Sequence, residues 1–138
     1  MKLLLDTHAL LWWLADDGRL GPRARDLIED PANDILVSVA SLWEIVVKRR
    51  VGKLEADIGE VAAAFEREGF ALLGIGTAHL TMLAGLPAHH RDPFDHLLIA
   101  QAIAEDATFL SEDPHAFRYP VRLVTCSDPP PPPPGPRR

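Results

Sequence analysis

Four carboxylates interrupt segments that are otherwise apolar. Asp6 follows the run Leu3-Leu4-Leu5, and Glu44 lies among Leu42, Trp43, Ile45, Val46 and Val47. Asp95 precedes Leu97-Leu98-Ile99, and Asp113 follows Thr108-Phe109-Leu110 after Ser111 and Glu112. Acidic side chains are rarely buried without a partner, so acids at these places need either a structural use or a common ligand. Each has a structural use when taken alone. Asp6 suits the cap of a helix starting at Thr7, and Asp113 suits a turn before Pro114. Asp95 suits a helix N-terminus. Glu44 can close a capping box with Ser41, or pair with Lys48 one turn later. Taken together in one cleft, the four would repel one another unless a cation neutralised them. The single cysteine, Cys126, excludes a thiolate zinc cluster. Oxygen donors alone favour Mg²⁺ or Mn²⁺, and acids around such an ion point to metal-assisted phosphoryl chemistry.

The surrounding pattern supplies elements that would bring the four together. Leu3-Leu4-Leu5 and Ile35 to Val39 read as strands buried on both faces of a parallel sheet. Ala71 to Ile75 and Thr108 to Leu110 read as further short strands, and Val121 to Val124 is expected at a sheet edge. Helical spacing runs over Thr7 to Ala15, a segment opened by Pro22, Ser38 to Arg50, Val61 to Glu68, and Ala78 to Ala84. A further helix starts at Asp92-Pro93, where an aspartate cap precedes a proline suited to the first turn. Ser38 is the better cap for its helix, which puts Glu44 well inside it. Asp95 shares a helical face with Leu98, Ile99 and Ala102 and is expected on the side turned to the sheet, whereas Asp92 reads as a cap. Strands alternating with helices imply a three-layer α/β/α domain around a parallel sheet. In such sheets ligands sit beyond the carboxyl ends of the strands, where Asp6 and Asp113 are expected.

Composition narrows the classes. The chain has 138 residues, 47% hydrophobic and 25% charged, a globular balance with room for one domain. A formal charge of −6 excludes gripping nucleic acid through bulk positive charge, although local basic patches survive. Lys48, Arg49, Arg50 and Lys53 form one such patch close to Glu44, and Arg19, Arg23 and Arg25 form another. Cys126 reads as a tolerated thiol near the end of the chain. His8, His79, His89, His90, His96 and His115 lack zinc spacing, and only His96 falls near the acids. Trp12 and Trp13 offer stacking surface, one of them expected in the core. No signal peptide or membrane span is expected, which suits a cytoplasmic protein. Six prolines, Pro129 to Pro134, lead to Gly135-Pro136-Arg137-Arg138, a composition suited to an extended spacer. The expected organisation is a folded body over residues 1–126 and a proline-rich tail over 127–138.

Leu4-Leu5-Asp6-Thr7-His8-Ala9-Leu10-Leu11-Trp12-Trp13, Ser41-Leu42-Trp43-Glu44-Ile45 and His90-Arg91-Asp92-Pro93-Phe94-Asp95 resemble the motifs of PIN-domain nucleases. They are most similar to the VapC-type toxins of bacterial toxin–antitoxin pairs. Gly52-Lys53-Leu54 and Leu98 to Ala102 extend the likeness, which covers residues 2 to 124 in family order. The resemblance implies a metal-dependent endoribonuclease with Asp6, Glu44, Asp95 and Asp113 as catalytic acids and metal ligands, supported by Thr7 and Ser111. It implies Mg²⁺ or Mn²⁺ as cofactor, and RNA, a VapB-like antitoxin and a second copy of the chain as partners. Lys48, Arg49, Lys53 and His96 are the candidate RNA contacts. Two positions depart from the family pattern. His96 stands where arginine is usual, and Ser111 where threonine is usual, with Glu112 competing with Asp113 as the fourth acid. The alternatives are a catalytically silent RNA-binding domain and another phosphoryl hydrolase. An aspartyl-phosphate phosphatase is disfavoured, because Asp6-Thr7-His8 lacks a second aspartate two residues on.

Overall fold

Leu3, Leu4 and Leu5 are fully buried, and their alternation divides the core in two. Leu3 and Leu5 face a cluster that includes Leu10, Ile28, Ile45, Val61 and Phe65. Leu4 faces the opposite cluster, with Leu97, Leu98, Ile99 and Phe109. The computed structural model describes residues 1–54, 57–88 and 92–127. His89, His90, Arg91 and the expected tail from Asp128 onward lie outside the described residues.

The elements run in the order β1 (Lys2–Leu5), α1 (Thr7–Leu14), α2 (Pro22–Glu29), β2 (Asp34–Ser38), α3 (Val39–Arg50) and α4 (Ile58–Arg67). They continue with β3 (Ala71–Leu73), α5 (Thr77–Gly85), α6 (Pro93–Ala104), β4 (Thr108–Leu110), a 3₁₀ turn (Pro114–Arg118) and β5 (Leu123–Val124). All five strands are parallel, in the order β3-β2-β1-β4-β5. Helices α1 to α4 supply one face of the core, and α6 the other. This is the expected three-layer α/β/α arrangement, with β5 at the expected edge.

Local signals explain where the elements begin and end. Ser38 caps α3 by accepting the Ala40 N–H (3.0 Å), and Asp92 caps α6 by accepting from Phe94 (2.9 Å) and Asp95 (3.3 Å). Helix α3 stops at Gly52, whose φ of +75° suits a residue without Cβ. The Lys53 N–H then bonds back to the Lys48 carbonyl (2.9 Å), the closing bond of a Schellman cap. Strand β3 stops two residues before its expected end, and the 3₁₀ turn after Asp113 was not foreseen. Its cap is Asp113, which accepts the His115 N–H (2.9 Å).

Cys126 is no peripheral thiol. It is fully buried among the α2-side core residues, its carbonyl accepts the Gly21 N–H (2.7 Å), and burial pushes its thiol pKa up. Ser127 is held next to it, donating its N–H (2.9 Å) and hydroxyl (2.6 Å) to the two oxygens of Glu112. Removal of residues 128–138 is therefore expected to leave the thermal midpoint within about 2 °C of the full chain, since a polyproline run brings no core. A fall several times larger in a thermal melt would show that the tail docks on the body.

Candidate active site

β1 leads to α1 and β2 on one side of the sheet, while its other neighbour, β4, arrives from α6. Strand order reverses between β1 and β4, and such a switch point opens a crevice beyond the carboxyl ends of the two strands. The residues that leave the strands there are Asp6, after β1, and Ser111, after β4. Their strands are in register through Leu5 and Leu110, and the Asp6 N–H bonds the Leu110 carbonyl (3.0 Å).

The Asp6 carboxylate is 3% exposed and uses both oxygens. Oδ1 accepts the Ala9 N–H (2.7 Å), capping α1, and Oδ2 accepts the Ser111 hydroxyl (2.7 Å). Its capping role and its place at the crevice are thus compatible, because different oxygens serve them. A cleft of about 570 Å³ opens there, lined by Asp6, Asp92, Asp95, Glu112 and Asp113 together with His8, Trp12, Arg19 and His115. Three of the four expected acids, Asp6, Asp95 and Asp113, share this lining.

Glu44 stands differently. It is 1% exposed and is absent from the cleft lining. The Thr7 hydroxyl donates to Oε1 (2.6 Å), and the Lys48 ammonium pairs with Oε2 (2.6 Å). The expected Thr7 and Ser111 contacts thus hold Glu44 and Asp6 respectively. Between Asp113 and Glu112, the latter has both oxygens committed to Ser127. Asp92, read from sequence as a cap alone, also lines the cleft.

Electrostatics tie the acids together. Burial, followed by the charges of Asp92, Asp6, Glu44 and Asp113, raises the Asp95 pKa to about 8. Burial raises Asp6 to about 6, against the Ala9 and Ser111 hydrogen bonds and the His8 charge, with Asp113 adding to the rise. Raised acids in a cleft are a recognised mark of functional sites. Among the described residues, no group of three or more His, Cys, Asp or Glu side chains stands ready to hold one ion.

The basic residues separate into two kinds. Arg49, Arg50 and Lys53 are exposed at the end of α3, whereas Lys48 turns inward to Glu44. In the second patch, Arg25 braces Asp16 and the Leu20 and Asp17 carbonyls, and Arg19 is paired with Asp17. His96 does not line the cleft; its ring packs against Tyr119 (5.6 Å between centroids). Trp12 does line it, beneath the Arg19 guanidinium (4.8 Å), while Trp13 packs on Phe70 (6.3 Å).

Sequence reasoning missed a buried polar network. Gln101 accepts the Ser38 hydroxyl (2.5 Å) and donates to the Gly74 carbonyl (3.2 Å), with His79 Nδ1 at 3.4 Å. His79 Nε2 in turn meets Glu105 (2.9 Å). The network joins the cap of α3, which carries Glu44, to α6, which carries Asp95. A glutamine in the run Leu98 to Ala102 was the available signal, since an amide on an apolar helix needs partners.

The sequence model of the PIN domain matches residues 3–121. Among curated proteins, none matches the chain. Solved structures share the fold at low identity. A chain of the VapBC2 complex from Rickettsia felis, bound to a promoter DNA fragment, matches at 18% identity with a TM-score of 0.70, over 92% of this chain and 100% of that one. The DNA-bound VapBC of Salmonella typhimurium matches at 14% and 0.66, over 92% and 99%. VapBC-1 of nontypeable Haemophilus influenzae matches at 14% and 0.63, over 91% and 98%.

The raised carboxyl groups fix a pH dependence. A carboxyl whose folded pKa lies above its unfolded value near 4 favours folding at low pH and loses that contribution as pH rises through the folded value. The Asp6 contribution is lost between about pH 4 and pH 6, and that of Asp95 continues to be lost up to about pH 8. In chelator, the thermal midpoint is therefore expected to fall by ~5 °C or more between pH 5 and pH 9. Asp95→Asn should flatten the upper part of that fall and raise the midpoint at pH 8. A midpoint that holds level or climbs over this range contradicts the raised carboxyl pKa values.

Proposed function

The chain belongs to the PIN-domain family, and from that footing we propose that it is a divalent-metal-dependent endoribonuclease, the toxin of a toxin–antitoxin pair acting in the cytoplasm. The observation that carries this reading is the shared lining of one cleft by Asp6, Asp95 and Asp113 at the carboxyl ends of β1 and β4, with Asp95 raised to about 8 by burial and by its acidic neighbours. Acids kept together at that cost fit a cation. Their all-oxygen chemistry fits Mg²⁺ or Mn²⁺. A closed cage is not required, because Mg²⁺ retains several waters and takes only one or two carboxylates besides substrate phosphate.

Asp6, Asp95 and Asp113 would hold the ion, with Glu44 beside them. When bound, it would supply an activated water and neutralise charge developing on the scissile phosphate. The chain's own residues set the geometry for that chemistry. Ser111 and the Ala9 N–H fix both oxygens of Asp6 before any ligand arrives. Thr7 does the same for one oxygen of Glu44. The exposed Arg49, Arg50 and Lys53, at the end of the helix that carries Glu44, suit contact with an RNA backbone despite the net negative charge. His96 packs on Tyr119 and does not line the cleft.

Partners follow from the neighbours and from the surface. The structural neighbours come from VapBC complexes, which supports a VapB-like antitoxin here. Val39, Trp43 and Val47 on α3 and Val51 at its C-cap recur every four residues and are all exposed, Trp43 at 56%. An apolar stripe of this kind suits a protein partner or a second copy of the chain. Among the described residues no helix is long and apolar enough to cross a membrane.

Purified protein freed of antitoxin is expected to cut a labelled RNA in Mg²⁺ or Mn²⁺ and to stop in excess chelator. Asp6→Asn and Asp95→Asn should each lower the rate by about 100-fold or more. Undiminished cleavage in chelator would remove the metal mechanism. Binding without cleavage would favour the silent RNA-binding domain, and phosphatase activity alone another hydrolase.

A further inference from the structure

We propose that Lys48 is a tethered counter-cation of the acidic cleft: it holds Glu44 in the ion-free protein and withdraws when a divalent ion binds. The inference rests on the reading of the cleft as a divalent-metal site.

Glu44 has two side-chain partners, and they differ in freedom. Thr7 is 3% exposed and sits at the first position of α1, next to Asp6, so its hydroxyl is a fixed donor. Lys48 reaches Glu44 from one helical turn away, with its side chain 36% exposed at the protein surface. A lysine ammonium on a flexible four-carbon stem can leave one acceptor for water without moving the helix. An arginine fork gripping both oxygens could not do so as easily. While Lys48 stays, neither oxygen of Glu44 is free of a partner.

Lys48 also faces more than its pair. Burial works against its charge, yet the Glu44 hydrogen bond and the charges of Glu44, Asp92 and Asp95 hold its pKa above the ordinary lysine value. Its neighbours Arg49, Arg50 and Lys53 point to solvent, so the inward turn of Lys48 is set by helical spacing from Glu44 and is not shared by the basic run. A buried carboxylate cannot stay charged alone. In the proposed exchange the cation beside Glu44 is the tethered one in the ion-free protein and the divalent one in the loaded protein. Competition of this kind is reciprocal: whatever Lys48 adds to the ion-free state it takes from ion affinity.

Two measurements test the exchange. In uniformly ¹⁵N-labelled protein, the Lys48 ammonium should give a protected resonance without ion and move to a solvent-exchanging position as Mg²⁺ is titrated. The Ala9 and Ser111 amides report ion binding in the same titration. If those amides shift while the Lys48 signal stays in place, the proposal is overturned and the metal site stands. If nothing shifts, the metal reading fails and the proposal with it. In calorimetry, Lys48→Met should bind Mn²⁺ at least about tenfold more tightly than the unmodified chain, with Lys48→Arg no tighter. Equal or weaker Mn²⁺ binding by Lys48→Met would overturn the proposal. Should that variant fail to fold, the resonance test on the unmodified chain still decides.

Discussion

The structure turns on one carboxylate placed where two parallel strands part. Asp6 leaves β1 at the point where strand order reverses, and its two oxygens are divided between the first turn of α1 and Ser111 beyond β4. The division links a helix start to a strand end across the crevice, so neither can move without breaking a buried hydrogen bond. It also leaves a charge in a place that water hardly reaches, and the neighbouring acids add to that cost. The Ala9 N–H and the Ser111 hydroxyl hold this group in place against that cost.

The rest of the scaffold keeps the acids at fixed spacing. Leu3 and Leu5 pack under α1 to α4 and Leu4 under α6, so β1 is clamped from both sides. Glu44 comes from one of these layers and Asp95 from the other. The Ser38–Gln101–His79–Glu105 network ties the layers together close to the sheet. A fully satisfied buried network is rigid and specific, because any shift leaves a polar group unpaired. The cleft thus pairs a stiff frame with acids that repel one another, an arrangement that favours binding a cation over collapse.

Much of this was legible in the sequence, for local reasons. Ser38 and Asp92-Pro93 carry their helix starts in their own chemistry, and the unbroken leucines of β1 read as a strand covered on both faces. The positions of Asp6 and Asp113 followed from the rule that places ligands at strand carboxyl ends. What escaped depends on residues far apart in the chain. That Glu112 holds Ser127, that Gln101 meets Ser38 across 63 positions, and that Cys126 closes the core beside Gly21 are all tertiary facts without a local period. The place of His96 is a further fact of this kind. Its nearness to Asp95 in sequence is one step around a helix, and that step turns it towards Tyr119.

The reading of the chain as a PIN-domain nuclease stands or falls with the cleft between β1 and β4 as a cation site. Diffraction from crystals grown with Mn²⁺, recorded for anomalous signal, tests this most directly. The account places the strongest anomalous peak within ligand distance of Asp6, with Asp95 or Asp113 in its first or water-bridged shell. A peak elsewhere on the molecule, or a well-ordered cleft holding only water at saturating Mn²⁺, would contradict it.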